Sequence, residues 1–330
     1  MKKIILAALA LGALVSCSKD ELISESRQAI EFGNAFVDNS TRATSATDPS
    51  YYTNGTAGYE QLTSFKVYGT VGGVNIFNGV TISKGTANYG EAWTENGGPT
   101  QYWIPGASYV FDAVVDATSV TTDNATGLPT SLNYEISSQK DMLHNRVEVT
   151  SATADQDVVT FNFTHLLSKV KFSVVNKTDA DATNYRYVIK NATLTNVYTE
   201  GDYAVPGATW SSLVNDGTYA LDAELTVNSN DTQYNAKEVL LIPGSAVGVS
   251  LTAELQATAD NGTTWKTVAT YPKTFTAVLG EGNVLEANHA YNFILEVSVG
   301  NPILFTATTL PDWENGNTTP TDAPTYVPVD

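Results

Sequence analysis

Few residues in this chain are equipped to do chemistry. There is one cysteine, Cys17, and three histidines, His144, His165 and His289. A disulfide has no second thiol, and metal centres built on cysteine and histidine are short of ligands. The histidines share no motif. His165 follows Phe161-Asn162-Phe163 and precedes Leu166-Leu167, which predicts a structural role at a strand end. The phosphate loop Gly-x-x-x-x-Gly-Lys-[Ser/Thr], His-Glu-x-x-His and Gly-x-Ser-x-Gly are all missing. Carboxylates are plentiful, but an acidic chain brings many together by accident, so their spacing does not mark a glycosidase pair. No enzymatic activity, cofactor or metal is expected. Two aromatic residues near Gly97-Gly98-Pro99, Trp93 and Trp103, have the chemistry to stack on a sugar; the competing reading is that they fill a core.

Cys17 sits where lipid chemistry is expected. Met1-Lys2-Lys3 is basic, Ile4 to Val15 is apolar and small, and Leu14-Val15-Ser16 leads into the cysteine. This pattern is a secretory signal over residues 1–16, too short to remain as a spanning helix. It resembles a bacterial lipoprotein signal, in which the Cys17 thiol carries lipid and the new amino group is acylated. Lys19-Asp20-Glu21 resembles a short export signal of surface lipoproteins. The expected location is the cell outer membrane, lipid-anchored and surface-exposed. Acids outnumber bases 35 to 17, for a formal charge of -18. That sign repels phosphate backbones and excludes nucleic acid as a partner.

The elements that position these residues read as strands. Hydrophobic residues make up 42% of the chain, enough to build cores. After the signal, a polar zone is interrupted by a short strand in which Ile30, Phe32 and Phe36 fall on one side. Arg42 and Ala43 follow in a small polar stretch of the kind that proteases cut. Beyond Tyr59, alternating runs recur at Leu62–Tyr68, Tyr109–Val115, Val158–Phe163, Val170–Val175, Tyr187–Leu194, Val247–Leu255 and Tyr291–Val299. Turn clusters such as Asp260-Asn261-Gly262 separate them, which predicts antiparallel sandwiches. Ser138–His144 has room for a helical turn and no more. Ile104-Pro105-Gly106 recurs as Ile242-Pro243-Gly244, each followed by a strand in the same phase. Two similar sandwiches are therefore expected, at 43–165 and 166–330; the stretch 17–42 before them holds the short strand.

Several motifs together resemble the fimbrillins, the lipoprotein pilins of type V fimbriae. They are the lipobox ending at Cys17, Thr41-Arg42-Ala43, Trp103-Ile104-Pro105-Gly106, Gln139-Lys140-Asp141-Met142-Leu143 and Phe161 through Phe172. Tyr291-Asn292-Phe293 and Pro302 through Ala307 complete the set. The resemblance implies two transthyretin-like β-sandwich domains in tandem. It also implies cutting after an arginine by an arginine-specific surface protease, for which Arg42 matches. Loss of the strand with Ile30, Phe32 and Phe36 would then open a groove for a donor strand from another fimbrial subunit. Donor candidates are Ile303 and Phe305, or the tail with Tyr326, Val327 and Val329. The implied partners are other subunits, the protease, and a host or bacterial surface ligand. The alternative is a surface lipoprotein that does not polymerise and binds glycan or host protein, or a minor tip adhesin.

Overall fold

The computed structural model describes residues 28–37, 62, 64–84, 93–97, 99–153, 156–179, 182–215, 217–221, 224–229, 234–279 and 281–310. Among them the protein is all-β, with two short 3-10 turns at Ile136–Ser138 and Glu281–Asn283. The strands of the first half are β1 (Phe32–Val37), β2 (Ser64–Val71), β3 (Val74–Lys84), β4 (Trp93–Asn96), β5 (Tyr109–Val115), β6 (Ser119–Thr122), β7 (Pro129–Glu135), β8 (Leu143–Val149) and β9 (Val159–His165). Those of the second half are β10 (Ser168–Asn176), β11 (Tyr185–Val197), β12 (Glu200–Ala204), β13 (Thr209–Val214), β14 (Gly217–Ala220), β15 (Glu224–Asn228), β16 (Tyr234–Leu241), β17 (Gly248–Ala257), β18 (Lys266–Thr276), β19 (Ala290–Val297) and β20 (Leu304–Leu310).

The halves are built differently. In the first, one seven-stranded sheet, β1-β9-β8-β5-β2-β3-β4, rolls around its own core. Tyr109, Phe111, Ala113 and Val115 of β5 point inward at period two, and Phe161 and Phe163 of β9 meet them. In the second, a four-stranded sheet, β16-β10-β19-β20, faces a five-stranded one, β14-β11-β17-β18 with β15 on β11. Val170, Phe172 and Val174 of one sheet pack with Val249, Leu251 and Ala253 of the other.

A fourth sheet, β13-β12-β7-β6, takes two strands from each half. It covers a third core that includes Tyr68, Val114, Leu132, Leu166 and Ile242. This cover explains why Asp112 and Val114, on the outward face of β5, are buried as well as their inward neighbours. Most ladders are antiparallel, but β1–β9 and β10–β19 are parallel. Side-chain alternation reports the face a residue takes and not the direction of the strand beside it. The expected helical turn at 138–144 resolves into the 3-10 turn just before it and the start of β8.

Turn chemistry is local. Asp260 Oδ1 accepts from Thr258 Oγ1 (2.7 Å) and from the Thr264 amide (2.8 Å), closing the β17–β18 hairpin. These bonds hold the Asp260 carboxyl down to about 2. Gly127 sits at φ 70 against the Asn75 carboxamide, which donates to Phe77 O and Thr126 O at 3.0 Å each. A Cβ there would enter the left-handed region and displace that carboxamide. Gly127→Ala should therefore cost about 1–2 kcal/mol, seen as a lower midpoint in thermal melts of the whole chain.

Candidate functional site: the slot filled by residues 28–37

β1 has neighbours on both sides. At its entry, Ile30 N donates to Gln101 O (2.8 Å) and Trp103 N donates to Gln28 O (3.0 Å), with Ala29 bridged antiparallel to Tyr102. On the other side, Val159 N donates to Glu31 O (2.8 Å). From there β1 runs parallel to β9, pairing Phe32 with Val159, Ala35 with Phe161 and Val37 with Phe163. Gly33 and Asn34 together oppose Thr160, so the ladder is bulged between Phe32 and Ala35. Strand β4 also lies near, with Cα atoms within 8 Å of β1. The segment therefore closes the gap left in the rolled sheet.

Its side chains complete the core. Ile30 and Phe32 are each 5% exposed. The Phe32 ring meets Phe77 at 5.3 Å and Phe111 at 5.9 Å edge-on, and stacks at 6.0 Å on Phe161. Burying two such side chains contributes about 1.5–3 kcal/mol each. The backbone of Phe36 pairs with Asn162, which keeps it in the ladder.

The slot wall also carries two polar groups. Glu95 on β4 is paired across the ladder with the core residue Ile82, and so faces inward beside Trp93. Its Oε1 is buried with no hydrogen-bond partner, and burial raises the Glu95 carboxyl above its ordinary range. Trp103 packs edge-on to Tyr109 at 4.7 Å and to Phe111 at 5.9 Å, and its Nε1–H likewise has no partner.

The other sequence-derived candidates fall as follows. Trp103 is 1% exposed, so of its two readings, sugar platform or core filler, its ring takes the second. Trp93 is half-buried with its ring 5.0 Å from Phe65. Ile303 is buried in the second half, and Phe305 on β20 stacks on Phe275 at 5.2 Å and meets Phe293 at 5.6 Å. β20 is paired to β19 from Leu304 to Leu310 at the sheet edge. Cys17, Arg42, Ala43, Tyr326, Val327 and Val329 lie outside the described residues.

Sequence spacing missed one buried network. Asp112, fully buried, accepts from His144 Nε2 (2.9 Å), Arg146 Nε (2.9 Å) and Arg146 Nη2 (2.7 Å). Burial alone would raise the Asp112 carboxyl, but these charged hydrogen bonds outweigh it and hold the group below the usual range. The available signal was an acid interrupting the apolar run Tyr109–Val115, with His144 and Arg146 two apart on the neighbouring strand. His165, buried at the end of β9, meets Asp141 Oδ2 at 2.7 Å, in keeping with a structural role. The three histidines thus have separate carboxylate partners, the third being Glu286 beside His289.

A family model described as fimbrillin-like matches residues 41–313. No curated protein matches the chain. Among solved structures, a fimbrial protein from Bacteroides vulgatus is 13% identical, with a TM-score of 0.61 over 86% of this chain and 98% of that one. A candidate cell adhesion protein from Bacteroides uniformis is 15% identical, with a TM-score of 0.53 over 87% and 98%. Another from Bacteroides ovatus, also 15% identical, has a TM-score of 0.51 over 87% and 98%. At these identities the structures speak for the fold alone. The match of the family model over most of the chain does more, and places the protein in the fimbrillin-like family.

Proposed function

We propose that this chain is a structural subunit of a fimbria, delivered as a lipoprotein and activated by proteolysis. Residues 1–16 guide export, and Cys17 carries the lipid that anchors the precursor at the outer membrane. An arginine-specific surface protease cuts after Arg42. Residues 17–42 then leave, taking β1 with them. The resulting slot accepts an extended segment from the carboxyl-terminal region of another subunit. Because donor and slot are different surfaces, the contact is head to tail and open, and a filament results. The fimbria supports adhesion through a host or bacterial surface ligand. No step calls for enzymatic activity in the chain itself.

The supporting observation is the position of β1. Together with Ile30 just before it, Phe32 of this strand fills a core, yet the strand precedes both Arg42 and the residues of the family match. A parallel, bulged strand is also a weaker occupant than a regular one. Donation from β20 would strip Phe275 and Phe293 of Phe305, so the segment beyond Leu310 is the less costly donor.

Trypsin treatment of the purified precursor tests the reading. The expected result is loss of a small N-terminal piece, followed by ladders on a gel that resist mild detergent. Arg42→Ala should abolish the ladders while leaving the melting midpoint unchanged. Polymerisation undiminished by Arg42→Ala would remove this activation site.

A further inference from the structure

Three side chains with complementary chemistry stand on one rung of the four-stranded sheet. Lys171 on β10 pairs with Asn292 on the parallel strand β19 and with Glu238 on the antiparallel strand β16. Their chain neighbours Val170, Phe172, Tyr291, Phe293 and Val239 all belong to the core between the two sheets. Lys171, Asn292 and Glu238 therefore share the opposite, outward face. Adjacent strands lie about 4.8 Å apart, a gap that the four-carbon stem of a lysine spans.

The amine and the carboxamide are both out of water: Lys171 is 5% exposed and Asn292 1%. The Asn292 carboxamide is engaged at one end only. Its Oδ1 accepts from the buried hydroxyl of Ser173 at 3.0 Å, which polarises the carbonyl toward attack at carbon. Its Nδ2 is buried with no hydrogen-bond partner. An orphaned buried donor is rare and costly. Replacing that NH2 by the lysine nitrogen leaves one N–H in place of two and turns a buried ammonium into a neutral amide. Glu238, exposed on the other side of Lys171, supplies a carboxylate that takes up a proton.

We infer that Lys171 and Asn292 are a covalent modification site, joined within the chain by an isopeptide bond from Nζ to Cγ. Glu238 accepts a proton from the Lys171 ammonium, and the neutral amine attacks Asn292 Cγ. The Cγ–Nδ2 bond then breaks. Nδ2 departs as ammonium, carrying a second proton from the lysine nitrogen and the one held by Glu238. One C–N bond forms, one breaks, the charge is unchanged and nothing is oxidised. Fixed placement on neighbouring strands supplies the encounter. The bond ties β10, the first strand of the second half, to β19 across a parallel ladder. It forms on folding, whether or not strands are exchanged between subunits.

Peptide mapping of the full chain tests the bond. Trypsin applied to the purified, denatured chain should leave residues 170–177 joined to residues 274–330, because a modified Lys171 is no longer a cleavage site. The joined species should weigh one ammonia less than the two peptides together. Lys171→Arg and Asn292→Ala should each release residues 172–177 and 274–330 unjoined. Glu238→Gln should form the joined species at least about tenfold more slowly after refolding. Wild type that yields residues 172–177 and 274–330 separately, at the masses of the sequence, overturns the inference. So does a link that survives Lys171→Arg, or an ammonia loss confined to residues 274–330, the mark of a cyclised asparagine. A rate in Glu238→Gln equal to that of wild type overturns the part given to Glu238.

Discussion

Phe32→Ala should destabilise the uncut chain by about 3–5 kcal/mol, the range for truncating a buried phenylalanine. The ring touches three others, Phe77, Phe111 and Phe161, and each lies on a different strand of the rolled sheet. Its loss leaves a void that the sheet cannot collapse around without moving β3, β5 and β9 together. Denaturant titration of the precursor, followed by tryptophan fluorescence, measures the effect. Under the proposed mechanism, the same substitution has no effect on polymer made from processed protein, because Phe32 has left. A loss below about 1 kcal/mol in the precursor would show that the strand is dispensable to the core, and the slot would lose its meaning.

Asp112→Ala should cost about 3 kcal/mol, the low end of the range for breaking a buried ion pair. Asp112 is fully buried and carries three charged hydrogen bonds. The Arg146 side chain is 30% exposed, so part of its charge reaches water when the carboxylate goes. Acid should mimic the substitution. The folded-state carboxyl is held below its ordinary value of about 3.9. Its contribution is therefore complete above that value and is lost as pH falls through the lower, folded value. Wild type should lose stability steeply below about pH 4. The alanine variant, lacking the group, should show a shallower decline. Parallel acid titrations of the two proteins would expose the difference, and identical slopes would remove Asp112 from the acid response.

Strand positions were legible wherever one face alternated. Tyr109, Phe111, Ala113 and Val115 were readable as a face and are buried as one, and Val247 through Leu255 repeat the pattern. Ile30 and Phe32 stood out because apolar residues at period two are conspicuous in a polar zone. Three features escaped. The burial of Asp112 depends on a sheet assembled from β6, β7, β12 and β13, whose pairing is long-range and leaves no local mark. The parallel direction of β1 against β9 follows from chain path and not from composition. Trp103 lies outside the strands, beside prolines and glycines, and its sequence setting does not distinguish an exposed ring from one folded inward; Tyr102 and Ile104 on either side are about half exposed. The orphaned Glu95 oxygen was equally hidden, since a short strand of mixed residues does not reveal its inward side.

The mixed sheet also has a mechanical consequence. Glu200–Ala204 is zipped antiparallel to Ser131–Glu135, and Trp210 Nε1 adds a bond to Leu166 O. Among the described residues only Leu166 and Leu167 separate β9 from β10, so a pull across the two halves finds no slack linker between those strands. Tension is borne by backbone rungs across that seam, and the two halves should separate little until those rungs fail.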